Sequence, residues 1–243
     1  MKKRLLAILL VVVLLLAFSA CGKAGGSTGD KASAYASYQE FNNSMSREFE
    51  MDFKGTQVVM GQSVESSGTI KYKHVNGKDQ IYMLMEMDLL GQKMEMIMLS
   101  DGTKAAYIVD GAKSDIEISE IMTQFDDTVS VPTFEESAIK SCEVTSEGDN
   151  TKYSMVLDKG SLTSVMDELK TSFAESMGDG IEVSLSDIPL ILVVDKDNNP
   201  KTMIMDMSGK ITGSGMSMDF TSKMEYTIKS LFNVSIDFSD LES

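Results

Sequence analysis

From Phe49 onward, apolar and polar residues alternate, and glycine-containing breaks interrupt the alternation at short intervals as far as Val109. Phe49, Met51 and Phe53 stand against Glu50, Asp52 and Lys54. A period of two sends successive side chains to opposite faces of a strand. The pattern predicts strands over 47–60, 64–74, 79–89, 92–100 and 103–109, broken at Gly61, Asn76-Gly77, Gly91 and Asp101-Gly102. Asn-Gly and Asp-Gly accept the left-handed backbone that tight hairpins require. Gaps this short leave no room for the crossover that a parallel pair needs, so neighbouring strands must be antiparallel. The chain is thereby confined to an antiparallel meander.

Helices flank and interrupt that meander. Ala34, Tyr38, Phe41 and Met45 recur at helical spacing before the first strand. A short helix is predicted near 116–125, strands near 138–147 and 151–158, and a longer helix over 161–177. Leu162, Val165, Met166, Leu169, Phe173 and Met177 share one face of it, and Gly178 is placed to stop it. Strands return at 181–194, 201–209, 215–229 and 233–238, which together give an α+β fold class.

Methionine is distributed unevenly among these strands. Eleven of the twenty lie in four alternating sets: Met83, Met85 and Met87; Met94, Met96 and Met98; Met203, Met205 and Met207; Met216 and Met218. Each set points to one face of its strand. A turn centred on Leu90-Gly91 sets Met87 against Met94, Met85 against Met96 and Met83 against Met98, with Leu84 facing Ile97 and Asp88 facing Lys93. The same register sets Glu86 against Glu95, which directs that face toward water or a covering helix. For the later sets, the pairing expected is Met207 with Met216, Met205 with Met218 and Met203 with Phe220. Three readings of the methionine face stay open. It is a filled core, a deformable apolar cavity whose unbranched thioethers repack around ligands, or a Cu(I) site of soft sulfur ligands.

The first residues are an address. Lys2, Lys3 and Arg4 precede an apolar run from Leu5 to Phe18, too short to cross a bilayer and suited to a signal peptide core. Phe18-Ser19-Ala20-Cys21 resembles the bacterial lipoprotein lipobox. The resemblance implies that residues 1–20 are removed and that Cys21 carries a diacylglyceryl thioether, two acyl chains being enough for stable anchoring. Residues 21–30 then form the lipidated Cys and a Gly/Ser-rich tether, and 31–243 a single domain on the extracytoplasmic face of the cell membrane.

Without that leader the formal net charge falls from −15 to −18, which disfavours nucleic acid as a partner. Only Cys142 remains beside Cys21, so no intramolecular disulfide is expected, and a buried inert thiol in the 138–147 strand is the simplest reading. His74, the single histidine, falls at a hairpin tip and reads as solvated. Common hydrolase, zinc and phosphate motifs are missing, so neither enzymatic activity nor a cofactor is expected. Asp195-Lys196-Asp197-Asn198-Asn199-Pro200 opens like a calcium loop. Pro200 stands where such a loop needs Gly, and no Glu follows at the twelfth place, so it reads as a polar turn.

The order of lipobox, helix, strand meander, internal helix pair and closing strands resembles the LolA/LolB-like lipoproteins. These include the LprG/LppX type of mycobacteria and surface lipoproteins of Gram-positive bacteria. Val193-Val194-Asp195-Lys196-Asp197 before a Met-rich strand, and Phe232-Asn233-Val234-Ser235-Ile236-Asp237 near the end, are similar to that family's last hairpins. The resemblance spans about residues 31–240. It implies a curved antiparallel half-barrel with an N-terminal helix and internal helices capping its concave face, and no catalytic residues. The expected function is binding or transfer of a lipid or acyl chain in the Met-lined concavity by a monomer. The alternatives are a structural or interaction lipoprotein with a filled core, and a copper-handling lipoprotein.

Overall fold

The computed structural model describes residues 28–45, 48–59, 61–89, 91–129, 133–163, 166–167, 169–171, 180–213 and 216–242. The leader, Cys21 and most of the tether therefore lie outside the described residues. Among those described, twelve strands form one sheet. They are β1 (Phe49–Val59), β2 (Gln62–Val75), β3 (Lys78–Leu89), β4 (Gln92–Ser100), β5 (Ala105–Val109), β6 (Ala112–Asp115), β7 (Ile139–Glu147), β8 (Asn150–Leu157), β9 (Glu182–Leu185), β10 (Ile188–Val194), β11 (Pro200–Gly213) and β12 (Met216–Ser230). Helices are α1 (Thr28–Met45), α2 (Ile118–Val129) and the single turn α3 (Ser239–Glu242); residues 163, 166–167 and 169–171 are also helical, and Glu136–Ala138 and Lys159–Ser161 form 3-10 turns. Strands so outnumber helices that the fold is mainly β rather than α+β.

The strand order is β6-β5-β4-β3-β2-β1-β12-β11-β10-β8-β7, with β9 beside β11. Every pairing is antiparallel, and the end strands β6 and β7 do not meet, so the sheet is open. The β2–β3 turn has Asn76 at φ 54° and Gly77 at φ 76°, both in the left-handed region, as a two-residue type I′ turn demands. Asp110 and Gly111 repeat this geometry and add β6, a strand the alternation did not predict. Asp101-Gly102 opens a wider turn. The Asp101 carboxylate accepts N–H groups of Thr103 at 2.6 Å and Lys104 at 2.7 Å, so the strand starts at Ala105 instead of 103.

The β3–β4 register is the one predicted, with Met83 opposite Met98, Met85 opposite Met96 and Met87 opposite Met94. The β11–β12 register is not. Met203 faces Tyr226, Met205 faces Met224 and Met207 faces Ser222, a slip of six residues. The cause is β9. It pairs Gly209 with Leu185 and Ile211 with Val183, while β12 pairs the other edge of the same segment. Hydrogen-bonded on both sides, β11 stays extended to Gly213 instead of turning at Gly209. Because the slip is even, each methionine keeps its face.

Three further expectations change. The predicted strand 181–194 divides into β9 and β10 at Ser186-Asp187, where the Asp187 carboxylate accepts Lys140 Nζ at 2.7 Å. Residues 233–238 form no strand. They cross the outer face of the sheet, where Lys73 Nζ donates to the Val234 carbonyl at 3.2 Å and Lys71 Nζ to that of Ser235 at 3.3 Å. Of the helix predicted over 161–177, Leu162, Met166 and Leu169 pack into the core, whereas Val165, Phe173, Met177 and Gly178 lie outside the described residues. Thr28–Asp30, assigned to the tether by composition, are already helical.

One apolar face of the sheet carries the main core. Ala34, Tyr38 and Phe41 of α1 are buried on it, and α1 lies over β7, β8, β10 and β11. Ile121 and Phe125 of α2 enter the same cluster, with the Phe125 ring stacked on Tyr72 at 5.4 Å.

Candidate functional site: a methionine wall under the helices

Cross-strand register assembles the inner face into rows. One row runs Met94, Met87, Ser66, Gly55, Met224, Met205, Leu190, Met155, Cys142. The next runs Met96, Met85, Gly68, Phe53, Tyr226, Met203, Leu192, Tyr153. A third holds Met98, Met83, Ile70, Met51 and Ile228. Methionine sets more than a hundred residues apart in sequence thus lie in common rows, joined through β2, β1 and β12.

Met83, Met85, Met87, Met98, Met203, Met205 and Met207 are buried, none more than 4% exposed. Met94, Met96 and Met218 are half-buried and pack against the same cluster. Met216 opens β12 opposite Gly213. The four alternating methionine sets did not include Met51, Met155, Met224, Tyr153 or Tyr226. Tyr153 and Met155 share β8, Met224 and Tyr226 share β12, and only the register brings them and Met51 into rows with those sets.

Two glycines lower the floor of the wall. A side chain at Gly68 would run into the Leu84 carbonyl and lie 2.7 Å from the Phe53 ring, and one at Gly209 would lie 2.7 Å from the Phe220 ring. Phe53 is opposite Gly68, and Phe220 opposite Gly209. Each ring therefore lies across the bare backbone of the next strand, a glycine–aromatic pairing that fills the gap left by the absent side chain.

Polar groups are few on this face. Gln57, Ser66 and Ser222 are buried near Met87 and Met207. Beneath α1, Tyr38 and Tyr226 are buried, and burial pushes both hydroxyls well above the usual tyrosine range, with the Asn42 side chain partly offsetting this at Tyr38. The Tyr38 ring lies 4.3 Å from that of Phe134. All these hydroxyls are neutral at physiological pH.

No protein-family model matches the chain, and no curated protein does. Among solved structures, a DUF1329 family protein from Desulfovibrio piger is similar over 85% of this chain and 98% of its own, at 11% identity and a TM-score of 0.31. An N-terminal dehydratase from the difficidin assembly line is similar over 90% of this chain and 86% of its own, at 7% identity and a TM-score of 0.13. At these TM-scores neither likeness bears on fold or function. The site rests on its own geometry.

The remaining sequence candidates are placed as follows. Cys142 is free and buried in β7. His74 is half-exposed at the β2–β3 turn, with Nδ1 2.8 Å from Asp79 Oδ1, which also accepts the Tyr72 hydroxyl at 2.7 Å. Asp195 closes its own turn by accepting the backbone N–H groups of Asp197 and Asn199, each at 2.9 Å. Asn198 of that turn accepts the Ser37 hydroxyl of α1 at 3.0 Å. Among the described residues, no group of three or more His, Cys, Asp or Glu side chains could hold a metal ion. A groove of about 620 Å³ lies between two outward-facing rows, Lys54-Ser67-Glu86-Glu95 and Thr56-Glu65-Asp88-Lys93. Only Met87 and Met94 of the methionine sets border it.

Proposed function

We propose that this protein is a lipid-anchored, extracytoplasmic, non-enzymatic binder or carrier of a hydrophobic ligand, taken up between the methionine wall and the helices above it. The observation that carries this reading is the continuity of the wall across the sheet from β4 to β8, under helices rather than a second sheet. Leu, Ile and Val fix their rotamers more sharply than Met. Methionine in such excess therefore favours a surface that repacks around varied apolar shapes. In this reading the open sheet is a curved half-barrel of the LolA/LolB type, with the wall as its concave side and the helices as its cap. Cys21 tethers the monomer to the membrane, and no cofactor is needed.

Organic extraction of the purified protein followed by mass spectrometry tests the reading directly, a stoichiometric lipid being the expected result. Substitution supplies the energetic counterpart. Met205→Leu should cost less than about 1.5 kcal/mol. Met205→Ala should cost less than the ~2–5 kcal/mol typical of a filled core if ligand space adjoins it. Full core-type losses together with no extractable or titratable apolar ligand would sink the proposal. They would favour a structural or interaction lipoprotein instead, a reading supported by the near-complete burial of Met83, Met85, Met203 and Met205. Tight Cu(I) binding lost in these variants would make the wall a soft-metal site.

A further inference from the structure

We infer that the ligand's head is neutral and donates a hydrogen bond, and that Asn42 of α1 is its acceptor; this rests on the ligand reading proposed above. The Asn42 side-chain oxygen is sealed from solvent and has no hydrogen-bond partner. One helical turn earlier, the buried Tyr38 hydroxyl takes a hydrogen bond from the Asn42 side chain. Because the amide oxygen has no partner, that bond falls to the amide nitrogen, and the oxygen is the surplus group. A desolvated acceptor left unpaired is costly, and native interiors seldom retain one without a reason.

Its position suits a ligand head. The Tyr38 and Tyr35 rings both pack against Phe134, and Tyr38 is within electrostatic range of Tyr226. Tyr226 stands in the wall between Phe53 and Met203. The open acceptor is thus set beside the middle of an apolar wall, the usual plan of a small-molecule site with few but directional polar groups. A carboxylate would present oxygen to oxygen, since an ionised carboxyl only accepts. It would also bring an unpaired charge beneath the helix, among neutral tyrosines. A methyl ester has no donor either. A long-chain alcohol, a primary amide or the free hydroxyl of a monoacylglycerol satisfies Asn42 and leaves its chain on the methionines.

Displacement of diphenylhexatriene from the delipidated protein by four sixteen-carbon probes tests this: hexadecanol, hexadecanamide, methyl palmitate and palmitate. The alcohol and the amide should bind about tenfold more tightly than the ester or the acid, the size expected for one buried acceptor satisfied or left open. Asn42→Leu removes the surplus acceptor, so it should fold and bind all four with the preference erased; Asn42→Ala should do the same. Equal binding of the four by the wild type, or a preference for ester or acid, would overturn this inference while leaving the ligand reading intact. A preference that persists in both variants would overturn it as well. Failure of every probe to displace the dye would overturn both.

Discussion

Cys142 shares a row with Met155 and Leu190 under α1, and its side chain is fully buried. Burial pushes its thiol up to about 11, with Asp30 adding to the rise and Lys31 opposing it. The thiolate is the reactive form, so almost none is present at neutral pH. A thiol reagent should label Cys142 slowly in the native protein and fully in denaturant. Rapid labelling of the folded protein would contradict this burial. Asp195 shows the opposite shift. Hydrogen bonds from Asn199 and Asp197, with Lys201 3.3 Å away, hold its carboxyl down to about 2 from an ordinary 3.8. A carboxyl depressed in the folded state contributes stability above its unfolded pKa, and loses it as pH falls through the folded value. Melting temperature should therefore decline between about pH 4 and pH 2, and Asp195→Asn should decline less steeply over that window. An unchanged slope would mean that other lowered carboxyls, such as Asp79 and Asp187, carry the acid sensitivity.

The C-terminal segment has the clearest mechanical role among the elements. Ile236, Phe238 and Leu241 cover Leu99 and Ala106, with Tyr82 and Ile97 beside them, on the face opposite the methionine wall. Val234 N–H donates to the Glu48 carboxylate, so the strap is held at both its polar and its apolar end. This explains why the stretches Ile81–Met85 of β3 and Met96–Leu99 of β4 are unbroken apolar runs, as strand segments covered on both faces are. Those runs announce a second cover in the sequence, but not which segment supplies it. Leu241→Ala should destabilise the protein by about 2 kcal/mol, the low end for a buried leucine because the final turn can relax. Urea denaturation would measure the loss. Amide exchange should quicken in β4 and β5 rather than in β10, and a uniform increase would show that the strap is not a local clamp.

At the scale of the whole molecule, the anchor and the wall are separable. Cys21→Ser should abolish incorporation of labelled fatty acid and release the protein from the membrane, while leaving the melting temperature of the isolated domain unchanged. Labelling equal to wild type would remove the lipobox from consideration. A loss of stability in the variant would mean that the leader region contributes to the fold.

What the chain determines by itself is local and periodic. Alternation sets which residues share a face, Asn76-Gly77 sets a turn, and the short break before Gln92 sets the β3–β4 register down to its methionine pairs. These follow from geometry within one hairpin. Only the tertiary structure decided that β12 lies beside β1, that β9 splits from β10, and that the last residues strap the outer face instead of adding a strand. It also decided the β11–β12 register, because a segment bonded on both edges cannot turn where its glycines would otherwise allow it. The wall survived that slip of six because side chains alternate with a period of two, and an even slip leaves every face as it was.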